Sequence, residues 1–491
     1  MVVSLAASAR VTRRVWCGGL GATLATLAGG CAPFTVSRED ERKLGQDEAQ
    51  EVERTVGLVR DEALVGYVRQ LGGRLAHVAQ PTDVVWQFNV ADDAEANAFA
   101  LPGGWIYVTR GLLVLLNSED ELAGVLGHEM AHVLERHAVR RAGAATPFAL
   151  LFGVPAGILG TVSPTLGGIV GGTGRLASGL ALAGYSREQE RDADRRGLEL
   201  AARAGWDAAA LASFLRTLER EEALAGRSPD RPRFFATHPA TPERVGNVQE
   251  AARSQARGPG APVAASRAAF VARLEGLVVG DNPASGIFQG PLFLHPDLDV
   301  ALEMPARWKT VNRPDAAGAA APDGGAAMLL HLVGSGADPV AGARADGLKD
   351  AHLAKLQRLQ ISGLPAARLI ADTRDGDRVA LTWIAHRQHV FRVTGMSSLR
   401  DWPRHGPALE RAAATFRPLL SAERAGIVES PLRVRPARSG ETVREVLARG
   451  GGAWDAARIA VANGTTVDAR LAAGWPVKVP VVQRYAGPGR R

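Results

Sequence analysis

The sequence contains only two cysteines among 491 residues, few aromatic residues and no run of basic residues. Two cysteines cannot form the disulfide framework of a small secreted protein. The net charge of +7 does not indicate nucleic-acid binding, because the arginines are scattered and aromatic residues amount to only 5%. The composition is otherwise that of a globular protein: hydrophobic residues make up 46% of the chain, and its length predicts about three domains.

Residues 1–31 are typical of an export signal. Three arginines precede a short apolar stretch, Val15–Leu27, and small residues then lead to Cys31. The letters LAGGC resemble the lipobox of bacterial lipoproteins, although the leucine lies one position further from the cysteine than usual. We predict that Cys31 is lipidated and attaches the protein to a membrane, with a plain signal peptide or a retained anchor as alternatives. Each of these places the protein outside the cytoplasm.

The most informative motif is His128-Glu129-Met130-Ala131-His132, an HExxH pattern. Residues four apart lie on one face of a helix, so His128 and His132 can bind one metal ion. A helix is indicated by Ser118 and Glu121, which form a capping-box pattern ahead of an apolar run. Glu129 cannot easily be a ligand on that face and is expected to act as the general base.

A second helix carries carboxylates that can complete the site. Ser186 begins another capping-box pattern, and Glu190 and Asp194 follow on one helical face. A catalytic zinc site takes three protein ligands and keeps one position for water, so a third ligand is needed. His137 lies five residues after His132 and would point about 140° away on a continuous helix. The alternative for both carboxylates is a solvated face paired with neighbouring arginines.

Three stretches resemble peptidase family M48, the zinc metallopeptidases related to HtpX and the CAAX prenyl proteases. They are NAFALPGGWIYV at 97–108, ELAGVLGHEMAH at 121–132 and SREQERDAD at 186–194. The resemblance covers about residues 40 to 250 and is strongest to the soluble periplasmic branch. It implies a mainly α-helical gluzincin domain with a small β-hairpin, and a Zn2+ ion bound by His128, His132 and Glu190.

The resemblance also implies roles for further residues. Asp194 would accept the free ring N–H of a ligand histidine and fix its tautomer. An extended peptide substrate would pair with the edge strand near Asn97, Ala98 and Phe99. In some periplasmic relatives a loop histidine is a removable fourth zinc ligand, and His238 matches that position. His238 is therefore a candidate latch, with a substrate contact or a structural role as alternatives.

Residues 142–184 are apolar and rich in glycine, with almost no charge. Three prolines interrupt them at intervals too short for a clean membrane span of ~20 residues. Two interpretations stay open. The stretch forms a pair of buried helices with a mobile connection, or it touches the membrane or gates the substrate.

The second half of the chain carries no catalytic motif. Residues 252–268 contain a glycine- and proline-rich stretch and predict a linker. Strand patterns, with helices predicted at 339–361 and 402–416, indicate an α+β sandwich module over 269–424 that faintly resembles PsbP-like or Mog-like modules. Residues 432–482 resemble a LysM domain, a β-α-α-β unit that binds peptidoglycan or chitin in other proteins. A glycan-binding role and a purely structural role both stay open.

Together these features predict a bacterial zinc endopeptidase of the periplasm, held at the outer membrane as a lipoprotein, with its peptidase domain at 32–251. By resemblance, its expected substrates are misfolded or stalled envelope proteins. Two alternatives remain. One is a peptidase of peptidoglycan cross-bridges, suggested by the LysM-like domain, and the other is an inactive, chaperone-like protein whose site is closed by His238.

Overall fold

The computed structural model of the chain describes residues 37–80, 83–142, 184–225, 234–239, 243–373 and 376–487. The predicted export signal at 1–31 and nearly all of the glycine-rich stretch at 142–184 lie outside these residues. Within the described residues, no helix is both long enough and apolar enough to cross a membrane. The first half of the chain is mainly helical and the second half is rich in β-strands, as the sequence predicts.

Helices in the described part of the first half surround a small sheet. In chain order, the elements are α1 (Arg38–Thr55), α2 (Glu62–Val78), β1 (Gln87–Ala91), β2 (Ala98–Leu101), β3 (Trp105–Thr109), α3 (Arg110–Leu115), α4 (Glu119–Leu134), α5 (His137–Ala142), α6 (Arg187–Arg203), α7 (Ala210–Ala225), α8 (Phe234–Thr237) and α9 (Arg244–Arg253). The strand order is β1-β3-β2, and β2 pairs antiparallel with β3. The predicted hairpin is therefore present, and β2 is an edge strand.

Helix α4 carries the HExxH motif through the centre of this half. Ser118 Oγ accepts a hydrogen bond from the Glu121 N–H at 3.1 Å and caps the first turn. The Glu121 carboxylate accepts from the Asn117 N–H at 2.6 Å instead of returning to Ser118, so the predicted capping box is half formed. Every residue from Glu121 to Val133 is buried, as expected for a helix that other helices surround.

Two glycines bring α4 and α6 into backbone contact. A Cβ atom on Gly127 would lie 2.8 Å from the Gly197 carbonyl oxygen, and a Cβ atom on Gly197 would lie 2.7 Å from His128 N. Neither position can carry a larger residue without moving a helix. The close crossing holds the carboxylate face of α6 beside the histidine face of α4.

The middle of the chain is built around a seven-stranded antiparallel sheet, with strand order β10-β11-β12-β13-β9-β8-β7. The elements are α10 (Arg267–Ala272), β4 (Ile287–Gln289), β5 (Leu292–His295), β6 (Val300–Glu303), β7 (Lys309–Asn312), β8 (Ala316–Ala320), β9 (Ala326–Ser335), α11 (Pro339–Ala345), α12 (Asp350–Leu353), β10 (Gln357–Ile361), β11 (Leu364–Asp372), β12 (Asp377–His386), β13 (His389–Ser398) and α13 (Trp402–Ala413). Neighbouring residues of β9 enter different cores, Met328 on one face of the sheet and Leu329 on the other. Helix α13 packs into the first core and α11 into the second.

The helix predicted over 339–361 is wrong in its last part. The structure has the short helices α11 and α12, and Gly347 between them has a φ of 95°, which a continuing helix does not allow. Residues 357–361 form β10, which pairs with residues 364–368 of β11. Pairing with a neighbouring strand outweighs the helical pattern there.

The last elements include a segment, 432–480, that packs against the helical half. They are α14 (Ser421–Gly426), β14 (Val428–Glu429), β15 (Leu432–Pro436), α15 (Val443–Ala448), α16 (Ala456–Ala462), β16 (Pro476–Pro480) and β17 (Gln483–Arg484), and β15 pairs antiparallel with β16. The buried Lys478 Nζ donates to the carbonyl oxygens of Val114 and Leu116 beside α3. On α7, Glu221 pairs with Arg458 at 2.8 Å. This region is thus docked on α3 and α7, and its assignment as a LysM domain stays a prediction.

Candidate metal centre

Four donor side chains meet in the helical half. His128 and His132 come from α4, Glu190 comes from α6, and His238 directly follows α8. Each is at most 2% exposed, and one donor atom from each lies within 4.8 Å of the others. The structure therefore brings the three predicted ligands and the predicted latch residue into one cluster.

Four of the six distances between the donor atoms match the edges of a tetrahedral metal site. His128 Nε2 lies 3.1 Å from His132 Nε2 and 3.2 Å from His238 Nδ1. Glu190 Oε1 lies 3.1 Å from His238 Nδ1 and 3.4 Å from His132 Nε2. A tetrahedron with zinc–ligand bonds of ~2.0–2.1 Å has edges of about 3.3 Å. Both the donor set and its spacing fit zinc.

The protonation states of the cluster suit a cation. Burial holds the pKa of His132 well below its usual value, so its ring is neutral and keeps a lone pair for a metal. Burial opposes the ionisation of Glu190, yet His238, His132 and His128 together hold the pKa of that carboxyl well below its usual value. Burial lowers the pKa of His238, but Glu129 and Glu190 raise it by more. A metal ion would displace the proton that His238 then carries.

The buried charged groups around the cluster also favour the binding of a dication. The carboxyl groups of Glu129, Glu190 and Asp194 and the guanidinium of Arg244 are all buried. If a metal ion displaces the proton of His238 and all three carboxyl groups are ionised, these buried groups carry three negative charges and one positive charge, a net charge of −2. Uncompensated buried charge is strongly unfavourable, and a bound Zn2+ would bring the sum to zero.

Glu129 lies beside the four donors without being one of them. Both of its carboxyl oxygens are buried and have no hydrogen-bond partner among the described residues. Its Oε1 lies 3.4 Å from His238 Nε2, and burial raises its pKa. A carboxylate next to the metal position, but not bound to it, can exchange a proton with water there.

Asp194 lies where the resemblance places it, against the far nitrogen of a ligand histidine. Its Oδ1 is 2.9 Å from His128 Nδ1, although the ring N–H does not point straight at the oxygen. Burial opposes its ionisation, but Arg244 and His128 lower its pKa by more. An ionised Asp194 favours the tautomer of His128 that leaves Nε2 available to the metal.

His137 occupies a different place from the one expected on a continuous helix. Helix α4 ends at Leu134, and Arg136 has a φ of 53°, so the chain turns back. His137 Nδ1 consequently lies 2.9 Å from His132 Nδ1. The premise of a continuous helix is wrong, and His137 contacts the side of His132 that faces away from the other donors.

Two further residues of the site, Arg244 and Tyr185, belong to none of the sequence motifs. The buried guanidinium of Arg244 lies 2.7 Å from Glu190 Oε2 and 2.8 Å from Asp194 Oδ1. The Tyr185 ring stacks on His132, with centroids 3.6 Å apart. Both residues lie close to the motifs, Tyr185 directly before SREQERDAD and Arg244 six residues after His238. Neither belongs to the residue types that usually bind zinc, and only that proximity could have pointed to them.

The edge strand directs a particular set of backbone groups outward. The Asn97 carbonyl oxygen accepts a hydrogen bond from β3 at 2.9 Å, and bonded residues alternate along an antiparallel pair. Phe99 therefore bonds to β3, while Ala98 and Ala100 direct their backbone groups away from β3. Both alanines are buried, and the Ala98 N–H donates to Asn97 Oδ1 at 2.9 Å. The Phe99 ring stacks on Tyr107, with centroids 5.0 Å apart. Of the three residues named from the sequence, Ala98 is the one whose backbone points away from β3.

Comparison with known proteins identifies the fold that carries this site. Residues 62–252 match the model of peptidase family M48. The chain contains an M48 metallopeptidase domain. All four donor side chains, together with Glu129, Asp194 and Arg244, lie within this M48 domain.

Relatives of the M48 domain occur in bacteria and in mitochondria. The Beta-barrel assembly-enhancing protease of Yersinia pestis is 29% identical over 227 residues, which is 46% of each chain. The protein of that name from Escherichia coli strain K12 is 28% identical over 229 residues, again 46% of each chain. The Mitochondrial metalloendopeptidase OMA1 of Schizosaccharomyces pombe is 31% identical over 221 residues, which is 44% of this chain and 62% of that relative. The chain thus spans about half the length of its bacterial relatives.

Proposed function

We propose that the protein is a zinc-dependent endopeptidase of the bacterial cell envelope. The observation that carries the proposal is the buried cluster of His128, His132 and Glu190 donors with Glu129 beside it. Zinc held there would polarise the scissile carbonyl and the attacking water. Glu129 takes a proton from that water and passes it to the leaving amine. The peptide bond is hydrolysed without a covalent link to the chain.

His238 acts as a removable fourth ligand that keeps the site closed. A catalytic zinc site keeps one position for water, whereas His238 Nδ1 occupies the fourth corner of this cluster. The Phe234 ring stacks on the His238 ring at 4.5 Å, and the Phe234 N–H donates to the Ala96 carbonyl oxygen at 3.0 Å. The Tyr185 N–H donates to the Thr237 carbonyl oxygen at 2.9 Å. The segment 234–238 thus bridges the start of the edge strand β2 and the start of α6. Its release would expose both the fourth metal position and the edge strand.

The substrates are unfolded segments of misfolded or stalled envelope proteins. Ala98 and Ala100 are buried in this closed form. An extended polypeptide would add to the edge of β2 after the segment 234–238 is released, by bonding to the backbone of these two residues. Recognition through backbone groups requires an unfolded chain but little particular sequence. The name of the bacterial relatives, Beta-barrel assembly-enhancing protease, supports the assembly of envelope proteins as the setting.

The remaining parts of the chain attach the enzyme to its surroundings. Lipidation of Cys31 would hold it at the outer membrane, facing the periplasm. The order β15-α15-α16-β16 supports a LysM-like domain at 432–482, which would place the enzyme near peptidoglycan. The sandwich module at 269–424 links the peptidase domain to the LysM-like domain. These assignments concern location, and the reaction does not depend on them.

Two substrates separate this proposal from its alternatives. Wild type and Glu129→Gln are compared, each loaded with zinc, on reduced casein and on purified peptidoglycan. The proposal expects the wild type alone to cleave casein, and neither protein to cleave peptidoglycan. Cleavage of peptidoglycan cross-bridges would establish the peptidoglycan peptidase instead. Binding of unfolded casein without cleavage by either protein, also after His238→Ala, would establish the chaperone-like protein.

A further inference from the structure

Arg244 lies against four residues of the metal centre: Asp194, Glu190, His238 and His128, whose Nε2 is 3.5 Å from Arg244 Nη2. Its Nε and Nη2 lie 2.9 and 2.8 Å from the two carboxylate oxygens of Asp194. Its Nη1 lies 2.7 Å from Glu190 Oε2 and donates to the His238 carbonyl oxygen at 3.3 Å. One guanidinium therefore joins the partner of a ligand histidine, a ligand carboxylate and the backbone of the latch.

This position is unfavourable for an arginine unless it has a specific partner set. Arg244 is the first residue of α9, where the helix dipole repels positive charge, and α9 has no acidic residue in its first turn. The side chain is 6% exposed, so the charge has lost most of its hydration. The carboxylates of Asp194 and Glu190 compensate for both costs. The planar fork of arginine matches Asp194 with two parallel bonds, which a lysine cannot make.

Because Arg244 contacts Glu190, the two carboxylate oxygens of Glu190 have different neighbours. Glu190 Oε1 faces the histidine donors, 3.1 Å from His238 Nδ1 and 3.4 Å from His132 Nε2. Glu190 Oε2 lies 2.7 Å from Arg244 Nη1, in an ion pair that lacks the alignment of a hydrogen bond, and 3.5 Å from His128 Nε2. A carboxylate without such a partner can bind a metal through both oxygens and use up a coordination position.

We propose that Arg244 is a positioning residue that holds Glu190 to a single donor oxygen, Oε1, and so keeps a coordination position available for water once His238 leaves. Without the guanidinium, Glu190 would be free to rotate so that both of its oxygens could bind a metal ion. The number of protein donor atoms then rises from four to five in the closed form. This inference concerns the donor set, and it rests on the metal site of the proposed function.

The test compares Arg244→Ala and Arg244→Lys with Arg253→Ala, a control at the exposed end of the same helix. Each full-length protein is loaded with Co2+ in place of zinc, and the visible absorption is recorded, because four-coordinate cobalt absorbs more strongly than five-coordinate cobalt. Zinc affinity is measured by competition with a chelator. Both measurements are made on the folded fraction, as judged by circular dichroism.

We expect the cobalt absorption of Arg244→Ala to fall to the five-coordinate level and its zinc affinity to drop about 10- to 100-fold. Arg244→Lys keeps the positive charge but lacks the planar guanidinium. Its zinc affinity should therefore lie between those of wild type and Arg244→Ala, while its cobalt absorption should stay at the five-coordinate level. Arg253→Ala should match the wild type in both. If casein is cleaved, kcat of Arg244→Ala should fall with KM within about twofold of the wild type.

An unchanged cobalt spectrum in folded Arg244→Ala would overturn the proposal. If Arg244→Lys has the spectrum and the zinc affinity of the wild type, Arg244 only compensates charge, and the proposal is also overturned. The spectrum does not depend on turnover. A wild type that binds cobalt but cleaves nothing would therefore reject the endopeptidase while leaving the role of Arg244 testable. A wild type that binds neither zinc nor cobalt would reject both.

Discussion

Replacing Glu48 with glutamine should stabilise the protein, and more so as the pH rises. Glu48 lies in α1, is 2% exposed, and neither of its carboxyl oxygens has a hydrogen-bond partner among the described residues. Burial raises its pKa from 4.5 to about 9, so the folded protein keeps this carboxyl protonated at pH 7. The unfolded chain ionises it. Glutamine has nearly the same shape and never ionises.

The size of the effect follows from linkage. A group whose pKa is raised on folding lowers stability increasingly from the unfolded pKa up to the folded one, by about 1.4 kcal/mol per pH unit. At pH 7, about 2.5 units above the unfolded value, keeping Glu48 protonated costs about 3 kcal/mol. Glu48→Gln should recover most of that energy at pH 7 and almost none near pH 4.5.

Urea-induced unfolding of the metal-free proteins at pH 5 and pH 8 measures this difference. The free energy of unfolding of Glu48→Gln relative to wild type should increase by about 4 kcal/mol between these two values of pH. Glu53→Gln, an exposed change on the same helix, should show no such increase. A difference between Glu48→Gln and wild type that does not change with pH would refute the reasoning, because Glu48 would then ionise equally in both states.

Three further predictions concern the metal centre and the docked C-terminal region. Glu190→Ala should lower the zinc content of purified protein sharply, since the cluster loses its only ligand carboxylate; unchanged zinc by elemental analysis would contradict its role as a ligand. His238→Ala should raise the rate of casein cleavage about tenfold, equivalent to about 1.4 kcal/mol of closure, while His352→Ala far from the site should not. A lower rate for His238→Ala would instead mark a substrate contact. Lys478→Ala should destabilise the protein to urea by about 3 kcal/mol, because two buried carbonyl oxygens lose their donor, and an unchanged midpoint would refute this.

Much of the site could be predicted because its signals are local. The spacing of His128 and His132 places them on one face of any helix, and Ser186 with its capping box sets where the carboxylate helix begins. The β-hairpin follows from two short apolar runs joined by Pro-Gly-Gly. Each of these signals depends on a few neighbouring residues, and the structure confirms each of these elements.

The rest depends on contacts between distant residues. Gly127 and Gly197 lie 70 positions apart, and nothing in either neighbourhood says that they touch. The return of His137 toward His132 depends on a left-handed residue, Arg136, which local propensity does not predict. The role of Arg244 depends on Glu190 and Asp194, two carboxylates on another helix, which its own neighbourhood in the sequence does not reveal.

Zinc content and casein cleavage, determined on the same preparations of wild type and Glu129→Gln, decide whether the buried cluster is the active site of a zinc endopeptidase. If Glu129 is the general base and not a ligand, both proteins should contain one zinc ion per chain, and only the wild type should cleave casein. Loss of zinc from Glu129→Gln would contradict the assignment of the base. Equal cleavage by both proteins would contradict the endopeptidase mechanism itself.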